Sequence, residues 1–270
     1  MSRLLLLLLF PAVAIAEPKA GEEREFEIAK GVKMKFCWIP AGKATLGSPE
    51  DEAGRHFLEK EHVLETKGFW LGKYEVTQGE WNGLMGEPKP PVKPPEPKDA
   101  PPKIELPSKI AVGPALPIDE ISWKDCQKFI EKCGVKGMKV RLPNEDEWEY
   151  ACRGGKGNKN AFYWGGELNG DKANCNAEHP YGTKTKGMSP GKVMPVGSFE
   201  KIAPHPWGLC DMHGNVSEWC DNFYDEKSQT RSMRGGHYFN DPELCRAACR
   251  NALEPARRFW GSGFRLALIP

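Results

Sequence analysis

The sequence predicts an α+β domain with little regular secondary structure for its length. Three short segments carry the residue pairs of a helix capping box, in which an N-cap residue and the residue three positions later bind each other's backbone amides. Two apolar runs favour strands. After Gly155 the periodic patterns end, and turn residues alternate with aromatic residues. We therefore expect short helices and strands first and long packed loops afterwards.

Strands are predicted in Met34–Thr45 and Gly68–Val76, which are apolar runs. The first run ends at a glycine turn, Leu46-Gly47-Ser48, and the second ends where a helix is predicted to begin. Neither run approaches the roughly 20 apolar residues that a membrane-spanning helix needs. The sequence therefore predicts no membrane span in the mature chain.

The capping boxes start the predicted helices at Thr77, Ser122 and Asn144. In the second helix, apolar residues recur with the i, i+3, i+4, i+7 spacing of one buried face. These residues are Cys126, Phe129, Ile130 and Cys133. Gly134 is predicted to end this helix, and Gly154 follows the last residue of the third.

A proline-rich segment interrupts the chain between the first and second helices. Residues 88–117 hold 11 of the 24 prolines, mixed with lysine and glutamate. Proline prevents helix and central strand, so we interpret this segment as an inserted, extended loop. A solvated insertion is the favoured interpretation, and a tether or partner-docking loop is the alternative.

The N-terminus has the pattern of a secretory signal peptide. Arg3 precedes the apolar run Leu4–Phe10, and Ala14-Ile15-Ala16 offers a small-residue cleavage site. A membrane anchor is the alternative, but the apolar run is too short for it. We predict a signal peptide in residues 1–16, a lead-in in 17–33, a domain in 34–270, and a secreted or periplasmic protein.

Composition narrows the partners and the redox state. The net charge is +1, so no broad positive field indicates nucleic acid or acidic lipid as a partner. All nine cysteines follow the predicted signal peptide, and an exported chain meets oxidising conditions, so some are expected in disulfides. Because nine is odd, at least one cysteine is free, metal-bound or bonded to another chain.

The segment from Asp211 to Glu218 has the composition of a calcium loop. Asp211 and Glu218 offer hard carboxylate oxygens, and Gly214 permits a turn that directs the carbonyls of Gly214 and Val216 inward. Calcium binds six to eight such oxygens in pliable loops. One alternative is zinc, with ligands from His205, Cys210, His213 and Cys220, although their spacing matches no common structural-zinc pattern. The other alternative is a loop held by hydrogen bonds alone.

Three blocks of sequence together resemble the formylglycine-generating enzyme family, also called sulfatase-modifying factors. They are Arg141–Gly155 (RLPNEDEWEYACRGG), Trp207–Trp219 (WGLCDMHGNVSEW) and Arg234–Arg265, with RGGHY at its start and GFR at its end. GFWLGKYEVTQGEWNGLMG, which includes the first predicted helix, is also similar to this family. The resemblance extends from Phe36 to Pro270, nearly all of the mature chain.

The resemblance implies a variant of the C-type-lectin-like fold, with calcium bound by Asp211, Gly214, Val216 and Glu218. It also implies a copper-dependent oxidase that uses O₂ to convert a cysteine of an unfolded sulfatase segment to formylglycine. In the family, two cysteines bind Cu(I), which suits soft thiolates. The family further implies that Cys152 is bonded to the segment that carries Cys245 and Cys249.

The family's two catalytic cysteines do not occur at their positions here. Asn240 stands at the first position, and the second falls in a shortened stretch or near Pro242. The serine of the family's RGGS turn is His237, and a substrate-side tryptophan is Ser217. The chain therefore departs from the family pattern where the chemistry takes place.

Cys245 and Cys249 remain the candidate catalytic residues, while His237, Asn240 and Arg250 are candidates for substrate binding. On the strand that the family implies for this segment, the two cysteines would lie about 13 Å apart at about 3.3 Å per residue. That separation exceeds a disulfide or a single-metal site. A helix would place them one turn apart, but structural cysteines are the favoured interpretation.

Three functions remain open at this stage. The first is a copper-dependent formylglycine-generating oxidase acting on exported sulfatases through relocated thiols. The second is a non-catalytic module that binds an exported protein or a glycan on the face from His237 to Cys249, and the missing cysteines favour it. The third is an iron-dependent oxygenase that forms C–S bonds, but the six histidines show no three-histidine grouping.

Overall fold

The computed structural model describes residues 17–86, 112–155, 157–224, 227 and 229–270. Within them, three helices begin at the predicted capping boxes: α1 (Gln78–Met85), α2 (Trp123–Glu131) and α3 (Glu145–Arg153). In each box the N-cap side chain accepts a hydrogen bond from the backbone amide of the residue three positions later. The carboxylate of that later residue accepts a hydrogen bond from the N-cap backbone amide. The three predicted helix starts are confirmed.

Eleven strands form three sheets in the described residues. They are β1 (Glu23–Ala29), β2 (Val32–Ile39), β3 (Gly42–Leu46), β4 (His62–Thr66), β5 (Phe69–Gly72), β6 (Lys139–Arg141), β7 (Ser217–Phe223), β8 (Arg231–Arg234), β9 (Asn251–Leu253), β10 (Ser262–Gly263) and β11 (Ala267–Ile269). The orders are β1-β2-β5-β11-β6, β10-β7-β8-β9 and β3-β4. A 3₁₀ helix, Pro242–Cys245, precedes β9.

The five-stranded sheet is covered on both faces. In β2, Phe36 belongs to an apolar cluster with Trp81 of α1 and Phe129 of α2. The next residue, Cys37, belongs to a second cluster with Trp148 of α3. Because successive strand residues point to opposite faces, the helices lie on both sides of this sheet. This explains why Met34–Thr45 is an apolar run without a clean alternation.

The N-terminal lead-in contributes the edge strand of this sheet. β1 pairs antiparallel with β2, and Phe26 packs edge-to-face against Phe36 and Trp70 at ring distances of 5.6 and 5.3 Å. The predicted run Met34–Thr45 contains two strands, β2 and β3, which belong to different sheets. The chain therefore leaves the central sheet between Ile39 and Gly42, before it reaches the glycine turn.

Long loops follow α3, as the sequence predicts. The described residues between α3 and β7 contain isolated bridges but no helix or strand. Aromatic contacts hold them: Phe162 stacks on Trp164 at 5.5 Å, and Tyr163 lies 4.6 Å from the His205 ring.

No helix within the described part of the chain is long and apolar enough to cross a membrane. The predicted signal peptide and residues 87–111, most of the predicted inserted loop, lie outside the described residues.

The strand that the family resemblance implies for the segment of Cys245 and Cys249, from Arg246 to Arg250, is wrong. The 3₁₀ helix ends at Cys245, and a turn follows in which Cys249 N donates to Arg246 O. Arg246 is 1% exposed, and its guanidinium binds both oxygens of Glu59, one oxygen of Glu52 and the Gly54 carbonyl. These partners are distant in sequence and hold the segment in the interior of the domain. Local strand preference therefore does not predict its conformation.

Candidate functional site

The three sequence blocks meet in the interior around two carboxylates. Glu218 accepts hydrogen bonds from Trp148 Nε1 at 2.7 Å and from Arg265 Nε and Nη2, both at 2.6 Å. Glu149 pairs with Arg234 and with Arg153. Arg234 and Arg265 are each at most 2% exposed. Buried charges need such partners, so these pairs fix how the blocks pack against one another.

The predicted calcium loop adopts the turn that the sequence implied. Gly214 has φ of 83°, and a Cβ at this position would lie 2.2 Å from the Asn174 carbonyl oxygen, so only glycine fits. Asp211 and Asn215 also have positive φ, at 57° and 62°. Asp211 Oδ2 accepts the Gly197 amide at 2.6 Å. The loop is therefore tightly turned and closely packed.

Acidic side chains crowd this loop. Glu75, in the Tyr-Glu-Val-Thr stretch before α1, accepts from Asn215 Nδ2 at 3.1 Å and from the Val216 amide at 3.3 Å. Burial, and then the negative charges of Asp211 and Glu218, raise the pKa of Glu75 well above its usual range. Burial also raises the pKa of Asp211 to about 6. The sequence analysis missed Glu75, because a lone glutamate at the end of a predicted strand carries no signal.

This donor set partly fits a calcium ion. The excess of buried carboxylates and the hard oxygens around Asp211 suit a divalent cation. Both oxygens of Glu218 are engaged by Arg265, however, so this residue is the least available of the four predicted ligands. Among the described residues no three histidine, cysteine, aspartate or glutamate side chains group as metal ligands. Calcium would thus depend on Asp211 together with the carbonyls of Gly214 and Val216.

The two candidate catalytic cysteines are buried thiols. Cys245 is 0% and Cys249 is 6% exposed, and all nine cysteines are free in the structure. Burial raises the pKa of Cys249 to about 11 and that of Cys245 well above its usual value. A thiolate is the nucleophile and the metal ligand, so neither residue is poised for that chemistry. Cys245 ends the 3₁₀ helix and Cys249 follows the turn after it, so the two lie on neither the strand nor the α-helix considered above.

Cys152 faces a histidine, and the predicted bond to Cys249 or Cys245 is not formed in the structure. Its sulfur lies 3.5 Å from His213 Nε2, which also accepts the Tyr163 amide at 3.2 Å. His213 Nδ1 is 2.7 Å from the Cys245 carbonyl oxygen, so Nδ1 carries the proton. Burial lowers the pKa of His213 to about 3. The contact therefore joins a neutral imidazole to a thiol and differs from a catalytic ion pair.

The zinc alternative is wrong, because its four residues have separate partners. His205 Nε2 lies 3.0 Å from the Cys152 carbonyl oxygen, and Nδ1 accepts the Trp207 amide at 3.0 Å. The Cys210 and Cys220 thiols contact the carbonyls of Gly208 and Glu218, respectively. Both nitrogens of His213 are engaged as described above. Within the part of the chain that the structure describes, these four side chains do not form a group that could hold a metal ion.

The structure brings together two of the three predicted substrate-binding residues. Asn240 Oδ1 accepts the His237 amide at 2.9 Å. Arg250 instead forms two 2.6 Å hydrogen bonds with Glu145 and lines a separate cleft of about 340 Å³. The prediction for Arg250 as a member of the same site is therefore not supported by its position.

Aromatic side chains surround His237. Its ring lies 4.8 Å from Trp260 and 5.9 Å from Phe259, and Phe239 lies 5.1 Å from Trp260. Phe239, Phe259 and Trp260 are partly exposed, whereas His237 is buried. The His237 face, defined as His237 with Phe239, Phe259 and Trp260, thus combines a buried imidazole with three partly exposed aromatic side chains.

Known proteins of similar sequence include formylglycine-generating enzymes. A formylglycine-generating enzyme of Streptomyces coelicolor is 32% identical over 181 residues, which cover 59% of this chain and 55% of that protein. An inactive C-alpha-formylglycine-generating enzyme 2 of Bos taurus is 34% identical over 128 residues, covering 46% and 39%. The chain therefore spans only 39% to 55% of the length of these two relatives.

Solved structures have the same architecture. PvdO from Pseudomonas aeruginosa superposes with a TM-score of 0.69 at 25% identity, covering 94% of this chain and 100% of that one. Treponema denticola variable protein 1 superposes with a TM-score of 0.66 at 20% identity, covering 92% and 99%. The predicted α+β fold, a formylglycine-generating-enzyme-like variant of the C-type-lectin-like fold, is confirmed. A family model described as a sulfatase-modifying factor enzyme 1-like domain matches residues 24–269, so this chain belongs to that family.

Proposed function

We propose that this chain is a non-catalytic member of its family that binds an exported protein on the His237 face, with a glycan as the second class of partner. The observation that carries this proposal is the burial of the Cys245 and Cys249 thiols. A Cu(I) site needs two thiolates within one ion's reach. Burial opposes both thiolates, and Asn240 places an amide at the first catalytic position of the family.

The His237 face supports the binding part of the proposal. Partly exposed aromatic rings supply contact area at a low cost in side-chain entropy. The ring of His237 is fixed among them, because its Nδ1 accepts the Phe239 amide at 3.2 Å. An exported sulfatase is the first partner to test, since the family resemblance implies it.

The catalytic part is tested by mass spectrometry. The protein, Cu(I), O₂ and a reductant are incubated with a peptide that contains the sequence CxPxR. We expect the peptide mass to stay unchanged, whereas conversion of cysteine to formylglycine would lower it by about 18 Da. The Streptomyces coelicolor formylglycine-generating enzyme serves as positive control. A mass loss with the wild type that disappears in Cys245→Ala would assign the oxidase activity instead.

The binding part uses the same peptide with a fluorescent label. We expect measurable anisotropy with the wild type and at least about a tenfold weaker Kd for Phe239→Ala, equivalent to about 1.4 kcal/mol. Phe57→Ala is the matched control, because Phe57 is 67% exposed and its ring packs against His56. Equal losses in both variants would contradict a role for the His237 face. Binding of glycans in place of the peptide, lost in Phe239→Ala, would assign the second class of partner.

We also propose a structural calcium ion at Asp211, Gly214 and Val216, with Glu218 as the fourth predicted residue. The expected result is a melting temperature that falls on chelation and recovers with calcium. Calcium at 100 times its Kd would add about 2.7 kcal/mol to the free energy of unfolding. Asp211→Ala should abolish the response, and Asp171→Ala, an exposed acidic control, should leave it intact. A wild-type melting curve that ignores both chelator and calcium would contradict the site.

A further inference from the structure

Two cysteines from distant parts of the chain share one small apolar cluster. Cys175 lies in the loops after α3, and Cys245 ends the 3₁₀ helix. Both are 0% exposed, and both pack in a cluster with Phe162 and Leu168. Neither belongs to the two larger clusters that cover the central sheet. The fold therefore places both cysteines in one apolar cluster outside the central sheet.

Backbone contacts hold both cysteines in place. Asn176, the neighbour of Cys175, donates its amide to the Asn240 carbonyl and its side-chain nitrogen to Asp241, both at 2.8 Å. These bonds fasten the Cys175 turn to the residues that lead into the 3₁₀ helix. On the other side, the Cys245 carbonyl oxygen is bound by His213 at 2.7 Å. Independent hydrogen bonds thus fix the backbone at or beside both cysteines.

The electrostatics of the cluster agree with this placement. Burial is the largest cause of the raised pKa of Cys245. The negative charge of Cys175 is the next largest cause, ahead of those of Cys249 and Asp241. Cys175 is thus within electrostatic reach of Cys245 and also shares its apolar cluster, whereas Cys249, only four residues from Cys245 in sequence, is not a member of that cluster.

The other candidate partners of Cys245 are engaged elsewhere. The Cys152 sulfur faces His213 Nε2 at 3.5 Å. Cys249 lies among the charges of Arg246, Glu59 and Arg234, outside the cluster that contains Cys175. We propose that Cys175 and Cys245 are a disulfide pair, which closes when the chain folds under oxidising conditions. This assignment differs from the family-implied bond between Cys152 and the segment that carries Cys245 and Cys249.

The chemistry requires an oxidant and balances with one. The two thiols lose two protons and two electrons and form one S–S bond, while the disulfide of oxidised glutathione or of a thiol oxidoreductase is reduced to two thiols. Both cysteines are buried in the folded chain, so the exchange takes place during folding, before the cluster closes. The bond would tie the loops after α3 to the segment that carries the candidate site.

Peptide mapping tests the proposal directly. The full mature chain is reduced, unfolded and refolded in a mixture of reduced and oxidised glutathione, free thiols are alkylated in denaturant, and the digest is analysed without reduction. We expect a linked peptide pair that contains Cys175 and Cys245, with Cys152 alkylated. A Cys152–Cys245 link, or alkylation of Cys175 and Cys245 in refolded protein, would overturn the proposal.

Thermal melting provides a second readout that does not depend on the digest. Cys175→Ala and Cys245→Ala should each lower the melting temperature of the oxidised protein by roughly 5–10 °C. In reducing buffer the wild type should lose the same amount. The double variant should fall no further than either single variant, because both changes remove one bond. Cys126→Ala, at a buried cysteine in α2, is the matched control, and its melting temperature should still respond to reductant. Additive losses in the double variant would contradict a shared bond.

Discussion

The buried histidines of this chain have their proton positions fixed by backbone amides. His205 Nδ1 accepts the Trp207 amide at 3.0 Å, and His237 Nδ1 accepts the Phe239 amide at 3.2 Å. A second proton on either ring would point at an N–H donor. Burial accordingly lowers the pKa of both rings from the usual 6.5 to about 4. These residues therefore make the stability of the fold sensitive to mild acid.

The sign of this dependence leads to a prediction for His237→Asn. The folded-state pKa lies below the unfolded one, so the unfolded chain takes up the proton first and stability falls as the pH drops from about 6.5 towards 4. Each such histidine contributes a slope of about 1.4 kcal/mol per pH unit in this window. Asparagine offers an acceptor for the Phe239 amide but does not titrate. We therefore expect the free energy of unfolding of the variant to depend on pH less steeply than that of the wild type, by the contribution of one histidine.

Urea unfolding between about pH 4.5 and 7.5 measures the slope, because the free energy of unfolding is obtained at each pH. His179→Asn is the control, since His179 is exposed, and it should keep the wild-type slope. Equal slopes for the wild type and His237→Asn would show that His237 does not carry the effect.

His237 also shows what a sequence alone reveals about a residue. Its position after Arg234-Gly235-Gly236 predicts a place in the candidate site, and this stays a prediction. Its burial was not predictable, because it depends on Phe259 and Trp260, which follow more than twenty residues later in the chain. The candidate cysteines Cys245 and Cys249 were likewise located by sequence, while their burial became evident only from the folded chain.

At the scale of elements, local signals succeeded where the interactions are local. All three capping boxes close within four residues, so Thr77, Ser122 and Asn144 could be predicted as helix starts. The missed strand β1 alternates charged and apolar residues, but its place is fixed by pairing with β2. The segment after Cys245 was mispredicted because Arg246 is bound to Glu52 and Glu59, which precede it by nearly the length of the domain. Local preference does not contain such contacts.

At the scale of the whole molecule, one sheet joins two apolar clusters. Leu268 of β11 packs in the cluster with α1 and α2, while the adjacent Ala267 packs in the cluster with α3. β11 also pairs with both β5 and β6, so it is an interior strand of this sheet. Since neither cluster can form without this sheet, we expect the two sides of the domain to unfold together.

The corresponding prediction concerns Leu268→Ala. Leu268 is 0% exposed, so removal of its side chain leaves a cavity and should lower the free energy of unfolding by about 2–5 kcal/mol. Hydrogen exchange measured by mass spectrometry should show faster exchange both in α2, which shares its cluster, and in α3, on the opposite face of the sheet. Val63→Ala is the control, because Val63 is 57% exposed on β4, and it should change the stability by no more than about 0.5 kcal/mol. Acceleration in α2 without any change in α3 would mean that the two faces unfold independently, and the central sheet would then not act as the common core.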